Sequence, residues 1–244
     1  MAVQAAYERK HVRRAGMVMT TSRYAASRLV ELYGLDAEPR IVPECIDLEA
    51  WRSLFARHPA EPAPAVFVVL CVCRLYPRKR VGLLLEAAAR LRERIPELQL
   101  RLVGRGPEEA PLKRHARELG LEQTVRWRGD VSQTELAREY QTCDAFCLPS
   151  VQEGFGIVFL EAMAAAKPIV AARVAAVPEV VTDGLLVEPE NAEALADAIA
   201  RLHADPALRR ELGARGSRAV EQYDARRVAA RFLEELAGFI GGSG

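Results

Sequence analysis

The chain has 244 residues, half of them hydrophobic, and a formal net charge of +1. This length suits one large α/β domain, or one domain plus a fragment of another. The near-neutral charge gives no indication of a nucleic-acid or acidic partner, and no apolar run approaches the length that spans a bilayer.

The segment before residue 66 predicts a small group of short elements. We expect a charged amphipathic helix over residues 2–14, a strand over 17–20 and another over 41–42. Ser22 has the chemistry of a helix cap, and the helix that it starts should end at Gly34. Residues 43–64 are predicted to be an irregular connector because their later half is rich in Pro and Ala.

From Val66 onward, apolar runs alternate regularly with helical segments. Continuous apolar strands separated by helices predict a Rossmann-like, doubly wound parallel sheet that is covered on both faces. Ligands on such sheets bind at the carboxyl ends of the strands. The predicted strands are residues 66–73, 98–103, 125–127, 145–148, 168–172 and 185–187. The predicted helices are residues 81–94, 111–119, 133–142, 157–166, a short one near Pro178, 192–203, 207–221 and 225–240. Residues 241–244, Gly-Gly-Ser-Gly, are predicted to be a flexible tail.

Cysteine and histidine usage indicates no metal centre and no disulfide framework. No C-x-x-C pair occurs, the histidines lack ligand spacing, and no signal-peptide pattern opens the chain. We therefore expect buried, reduced thiols in a cytoplasmic protein. The residues concerned are Cys45, Cys71, Cys73, Cys143 and Cys147, and His11, His58, His115 and His203.

The most informative stretch is Pro149 to Pro168, which joins a strand to an apolar helix. Its loop carries Glu153 and two glycines, Gly154 and Gly156, and Glu161 lies about one turn into the helix. Free amides at a helix N-terminus bind anions, and carboxylates accept hydrogen bonds from sugar hydroxyls. The structural alternative is that Glu153 only complements the helix dipole and that Glu161 is solvated. The apolar neighbours of Glu161 argue that it needs a partner.

Other loops that follow predicted strands carry cations and glycines. Residues 74–80 hold four positive charges, of which Arg74 and Lys79 have the reach to contact a diphosphate, although a solvated basic turn is the alternative. Gly104 belongs to a G-x-G turn without the third glycine of a dinucleotide fingerprint. Ser132 with Glu135 predicts a capping box, and Glu179 is interpreted as a first-turn helix residue only.

In order along the chain, these segments resemble the family 4 retaining glycosyltransferases. The resemblance lies in E-G-F-G-I-V-F-L-E with Glu153 and Glu161, R-L-Y-P-R-K from Arg74, V-G-R-G-P from Val103 and P-E-V-V from Pro178. It extends over about residues 7–240. It implies the C-terminal, donor-binding half of a GT-B fold, with residues 1–45 as the end of an acceptor domain and a link. Residues 46–224 would form the donor domain, and residues 225–240 a C-terminal helix.

The same resemblance implies roles for individual residues. Glu161 would bind the donor ribose and Glu153 the donor sugar, while Arg74 and Lys79 would hold the diphosphate and act in catalysis. The resemblance implies no cofactor and no metal. The substrate that it implies is a nucleoside-diphosphate sugar, with UDP as the family's commonest nucleotide. The remaining donor contacts would come from Gly104, Val131, Gly154, Phe155, Gly156 and Ile157.

The chain also departs from the family pattern in two respects. Most of the acceptor-binding domain is missing, so an acceptor half or partner chain would have to supply it, together with any association with a membrane surface. Residues other than glycine also occupy positions where the family usually has glycine. These positions are Cys45, Cys73, Arg80, Ala166, Ala175 and Ala176.

Three functional hypotheses follow from the sequence. The first is a hexosyltransferase that works with an acceptor domain. The second is a non-catalytic module that binds nucleotide sugars. The third is another enzyme on the same fold, such as a sugar-nucleotide epimerase or a phosphorylase.

Overall fold

The computed structural model describes residues 2–59 and 66–241, with side chains from residue 7 onward. Its centre is a six-stranded, all-parallel sheet. The strands of this sheet are β3 (Phe67–Val72), β4 (Leu98–Val103), β5 (Val125–Gly129), β6 (Ala145–Leu148), β7 (Ile169–Ala172) and β8 (Leu185–Val187).

The strand order is β5-β4-β3-β6-β7-β8. Strands β4 and β5 are therefore added on one side of β3, and strands β6 to β8 on its other side. Every residue of β3 is buried, as expected for the central strand of a covered sheet. At the edge, β5 alternates between covered and exposed positions. The crevice above the carboxyl ends of β3 and β6 is where this topology places a ligand. The predicted doubly wound sheet is confirmed.

Helices cover both faces of the sheet. They are α4 (Val81–Leu91), α5 (Glu109–Glu118), α6 (Gln133–Thr142), α7 (Ile157–Ala164), α8 (Val177–Val180), α9 (Ala192–Ala204), α10 (Pro206–Ala219) and α11 (Ala225–Gly241). Ser132 and Glu135 form the predicted capping box at the start of α6. The last three residues of the predicted tail lie outside the described part of the chain.

The N-terminal elements form a small separate layer. Helix α1 (Ala2–Arg14) precedes a two-stranded parallel sheet of β1 (Met19–Thr20) and β2 (Arg40–Ile41), which flank α2 (Arg23–Tyr33). As predicted, Ser22 caps α2 and Gly34 ends it in the left-handed region at φ 63°. The second strand begins one residue earlier than expected.

The predicted connector over residues 43–64 is wrong in its first half, because it contains helix α3 (Leu48–Arg57). Asp47 caps this helix by accepting a hydrogen bond from the Ala50 amide at 2.9 Å. Trp51 is buried and meets the ring of Tyr140 edge-on, at 5.7 Å between centroids. The Pro- and Ala-rich composition of the later half obscured this amphipathic turn pattern. Residues 60–65 lie outside the described residues.

Four of the five cysteines are buried, but Cys45 is exposed, so that part of the prediction is wrong. Arg80, Ala166 and Ala175, at positions where the resemblance implies glycine, all have positive φ, between 49° and 53°. Cys45, Cys73 and Ala176 are not among the residues with positive φ.

Candidate functional site

The site lies where the loops after β3 and β6 meet at the carboxyl edge of the sheet. The Val151 amide donates a 2.9 Å hydrogen bond to the Arg78 carbonyl, which ties the two loops together. Lys79 and Glu153 form an ion pair across this junction, with side chains only 12% and 9% exposed. Two charges so far from water require each other, because either alone would carry a large desolvation cost.

Arg74 supplies the second cation at this edge. Its side chain is exposed and, among the described residues, makes no hydrogen bond or ion pair. The backbone beneath it approaches Gly104 very closely. A Cβ added to Gly104 would lie 2.1 Å from the Cys73 carbonyl oxygen, and the φ of Gly104 is 114°. Only glycine therefore fits at this contact between the loops after β3 and β4.

Helix α7 starts at the same edge from Gly156, whose φ of 93° lies in a region that L-residues avoid. A Cβ there would lie 3.8 Å from a Glu153 carboxylate oxygen and 2.6 Å from the Phe159 ring. The turn therefore brings the first amides of α7, including that of Ile157, beside the Lys79–Glu153 pair. These amides have no acceptor within the helix and carry the positive end of its dipole. Cations and free amides together make this edge anion-binding in character.

Glu161 lies one turn into α7, between that helix and α6. Its carboxylate accepts a 2.7 Å hydrogen bond from the Tyr140 hydroxyl, which also donates to the Val158 carbonyl at 3.3 Å. Burial raises the pKa of Glu161 above its ordinary value, and the hydrogen bond from Tyr140 opposes that shift. Burial, together with the Glu161 charge, raises the pKa of Tyr140 well above its ordinary value, so the hydroxyl remains a donor. Sequence analysis expected a partner for Glu161 but did not identify Tyr140.

The loop that carries Glu153 is also held from the N-terminal layer. The Ser22 hydroxyl donates to the Gly154 carbonyl at 3.1 Å, and the Thr21 hydroxyl does so at 3.4 Å. Beside them, the Glu179 carboxylate accepts hydrogen bonds from the amides of Arg23 and Tyr24 at 2.9 and 2.8 Å. Glu179 is a first-turn residue of α8, as interpreted from the sequence, but it also caps α2, whose Tyr24 lies 155 residues earlier in the chain.

The other predicted site residues occupy different parts of the same edge. Phe155 is buried, and its ring meets Tyr223 edge-on at 5.4 Å between centroids. Val131 is partly buried after β5 and packs against the core at the far side of β4. The structure thus joins Lys79, Glu153 and Gly156 directly, and places Val131 furthest from them along the strand order. Within the described residues, no group of three or more metal-ligating side chains converges.

Comparisons with known proteins agree with this architecture. The sequence model of the family described as "Glycosyl transferases group 1" matches residues 57–219, more than half of the chain. The GDP-mannose-dependent alpha-(1-6)-phosphatidylinositol monomannoside mannosyltransferase of Mycolicibacterium smegmatis is 32% identical over 242 residues, which cover 92% of this chain and 63% of that protein. The D-inositol 3-phosphate glycosyltransferase of Kribbella flavida is 35% identical over 222 residues, covering 84% of this chain and 52% of that protein.

Solved structures show the same fold. Sucrose-phosphate synthase from Thermosynechococcus elongatus superposes with a TM-score of 0.84 at 29% identity, over 99% of this chain and 63% of that one. HepE of Anabaena, solved in complex with UDP and glucose, superposes with a TM-score of 0.83 at 22% identity, over 96% of this chain and 67% of that one. The chain spans 52–63% of the length of the two curated relatives described above.

In the part of the chain that the structure describes, no helix combines the length and the apolar character needed to cross a bilayer.

Proposed function

Because this chain belongs to the group 1 glycosyltransferases, we propose that it is the donor-binding half of a retaining hexosyltransferase that uses a nucleoside-diphosphate sugar. The observation that carries the proposal is the Lys79–Glu153 ion pair, which lies beside the start of α7. The unpaired Arg74 belongs to the same loop after β3 as Lys79. A cation and a carboxylate at one edge match the two parts of such a donor, an anionic diphosphate and a hydroxyl-rich sugar.

The charged groups would act on the diphosphate. As the glycosidic bond to the donor breaks, the departing diphosphate gains negative charge. Lys79 and the amides of Gly156 and Ile157 would stabilise that charge without rearrangement, because the fold holds them in place beforehand, and Arg74 would add a second cation. Glu153 would hold the Lys79 ammonium before the donor arrives and contact the sugar. The cations would then suffice at the diphosphate, so the reaction is proposed to be metal-independent.

The remaining residues would bind the nucleoside. Glu161 would accept hydrogen bonds from the ribose hydroxyls, with Tyr140 orienting its carboxylate. Val131, Gly104, Gly154 and Phe155 would line the rest of the donor site. UDP is proposed as the nucleotide of the donor. GDP is the competing nucleotide, because one relative is named as GDP-mannose-dependent.

The acceptor would be bound outside this chain's donor half. The relatives are longer than the matched region, so the acceptor-binding groups are proposed to come from an additional domain or a partner chain. Residues 1–45 would link that part to the donor domain.

Calorimetric titration with UDP, GDP and ADP tests the proposal. We expect one of the three to bind, and Glu161→Ala to weaken it on the order of tenfold or more, as for loss of hydrogen bonds to a charged group. Glu122→Ala is the matched control, because Glu122 is exposed and precedes β5, at the edge of the sheet opposite the carboxyl ends of the strands. Failure of all three nucleotides to bind would refute the donor site, and unchanged affinity in Glu161→Ala would refute the ribose role.

A further inference from the structure

A cavity lies between helices α2, α8 and α11, and Phe155 of the loop that carries Glu153 lines it. It has a volume of about 480 Å³, and the aromatic pair of Phe155 and Tyr223 contributes to its wall. That volume falls within the range of pockets that bind small molecules. Three arginines line it, Arg23 from α2 and Arg227 and Arg231 from α11. We call this cavity the arginine pocket.

All three arginine side chains lack an ion-pair or hydrogen-bond partner among the described residues, unlike many of their neighbours. Arg226, the residue before Arg227, forms an ion pair with Glu49. Glu235, four residues after Arg231, forms its ion pair with Arg40 instead, at 3.7 Å. Among the described residues, the guanidinium groups of the arginine pocket therefore form no ion pair, although Glu234 lies three residues after Arg231 on the same helix.

Each of these arginines also occupies a position that local electrostatics disfavours. Arg227 and Arg231 are four residues apart on α11, so two like charges lie on the same helical face. Arg23 is the first residue of α2, where the helix dipole repels a cation. Unfavourable placements of charge that cluster around one cavity indicate a functional site, because they do not stabilise the fold.

Glu179 is the one acid among the residues that line the pocket, so it offsets only part of the positive charge. Both carboxylate oxygens of Glu179 accept hydrogen bonds from the α2 amides of Arg23 and Tyr24, so this carboxylate is bound to backbone rather than to a guanidinium group. Three guanidinium charges and one carboxylate leave a net charge of about +2. This charge is opposite in sign and similar in size to that of a phosphomonoester near neutral pH. Arginine is also the side chain best suited to forked hydrogen bonds with phosphate.

We propose that the arginine pocket is an anion site for a phosphomonoester, with cations distinct from those of the donor site and with Phe155 as the residue shared by the two linings. Its phosphate would contact Arg23, Arg227 and Arg231, and the apolar part of the ligand would lie against Phe155 and Tyr223. Because Phe155 directly follows Gly154, which Ser22 and Thr21 hold, occupation of this pocket would bear on the loop that carries Glu153.

The test is calorimetric titration of the whole chain with inorganic phosphate and with glycerol 3-phosphate. We expect binding in the parent and a loss on the order of a hundredfold in the double variant Arg227→Gln/Arg231→Gln, about tenfold for each charged contact. Arg226→Gln is the matched control on the same helix, and Arg74→Ala controls for phosphate bound at the donor edge. Arg226→Gln should bind like the parent, and Arg74→Ala should retain the binding that the double variant loses.

Two results would overturn the proposal. One is that neither probe binds the parent, and the other is that binding survives in the double variant. Because the arginines are exposed and repel each other, the double variant should unfold at the same temperature as the parent or higher, which separates loss of binding from loss of fold.

The source of the phosphomonoester is distinguished by sedimentation with phosphatidylcholine vesicles that contain phosphatidic acid. Vesicle binding that the double variant abolishes assigns a lipid headgroup. Binding of glycerol 3-phosphate without vesicle binding assigns a free phosphorylated metabolite. The outcome for this pocket is independent of the donor site, because Arg74→Ala and Glu161→Ala report on that site separately.

Discussion

The Tyr140 hydroxyl of α6 and the Glu161 carboxylate of α7 are joined by a 2.7 Å hydrogen bond between two helices that cover the sheet. The surroundings of this carboxylate disfavour its charged form. Burial raises the pKa of Glu161, and the hydrogen bond from Tyr140 only partly offsets that rise. A group held against its own desolvation cost is a candidate for binding rather than for stability.

We predict that Glu161→Gln is more stable than the parent at neutral pH. A carboxyl group whose pKa is raised by folding disfavours the folded state above that pKa, and this loss disappears as pH falls through the raised pKa. The neutral amide still accepts from Tyr140 and carries no such penalty. Urea unfolding across a pH series measures the difference, which should shrink towards zero on acidification. A variant that is less stable at every pH would show that the charged form is structurally required.

We predict that Lys79→Met destabilises the chain by about 3 kcal/mol, because it leaves the Glu153 charge buried without a partner. The double variant Lys79→Met/Glu153→Gln should recover most of this loss, since neither charge then remains. As a control, Arg94→Met breaks the exposed pair with Asp197 and should cost no more than about 1 kcal/mol. Equal losses in the single and double variants, measured by urea unfolding, would argue against a mutually dependent pair.

We predict that Ala166→Gly stabilises the chain by about 0.5–1 kcal/mol, since a left-handed backbone strains alanine by more than glycine loses in chain entropy. Ala166 is exposed with a φ of 53°, so little packing is lost. The control is its neighbour Ala165, which has an ordinary φ of −82°. Ala165→Gly should lower the unfolding temperature while Ala166→Gly raises it. If both variants changed the unfolding temperature in the same direction, the effect would not come from the backbone conformation of Ala166.

We predict that Ser22→Ala costs about 1–2 kcal/mol, because Ser22 both caps α2 and donates to the Gly154 carbonyl. Ser22→Thr keeps the hydroxyl and should retain most of that stability. Ser27 is an exposed serine within the same helix, and Ser27→Ala should be neutral or slightly stabilising. Hydrogen exchange of the Glu153 loop provides a second measurement, and unchanged exchange in Ser22→Ala would show that the loop does not depend on this contact.

Much of the fold was predictable because its signals are local. The helix start at Ser22, its end at Gly34 and the capping box of Ser132 and Glu135 each depend on residues within one or two turns. The apolar run of β6 gave its bounds directly, since a strand buried on both faces tolerates few polar residues. Helix α3 was missed because a Pro- and Ala-rich segment follows it and no strong local signal outweighed that composition.

By itself, the sequence determined the alternation of strands and helices, and hence a parallel sheet whose carboxyl edge gathers the cations, glycines and carboxylates. Only the tertiary structure decided which of these residues meet: Lys79 with Glu153, Tyr140 with Glu161, Ser22 with Gly154, and Glu179 with the amides of α2. The partners in these contacts lie between 21 and 156 residues apart. Contacts at such separations depend on strand order and helix packing, which local periodicity does not specify.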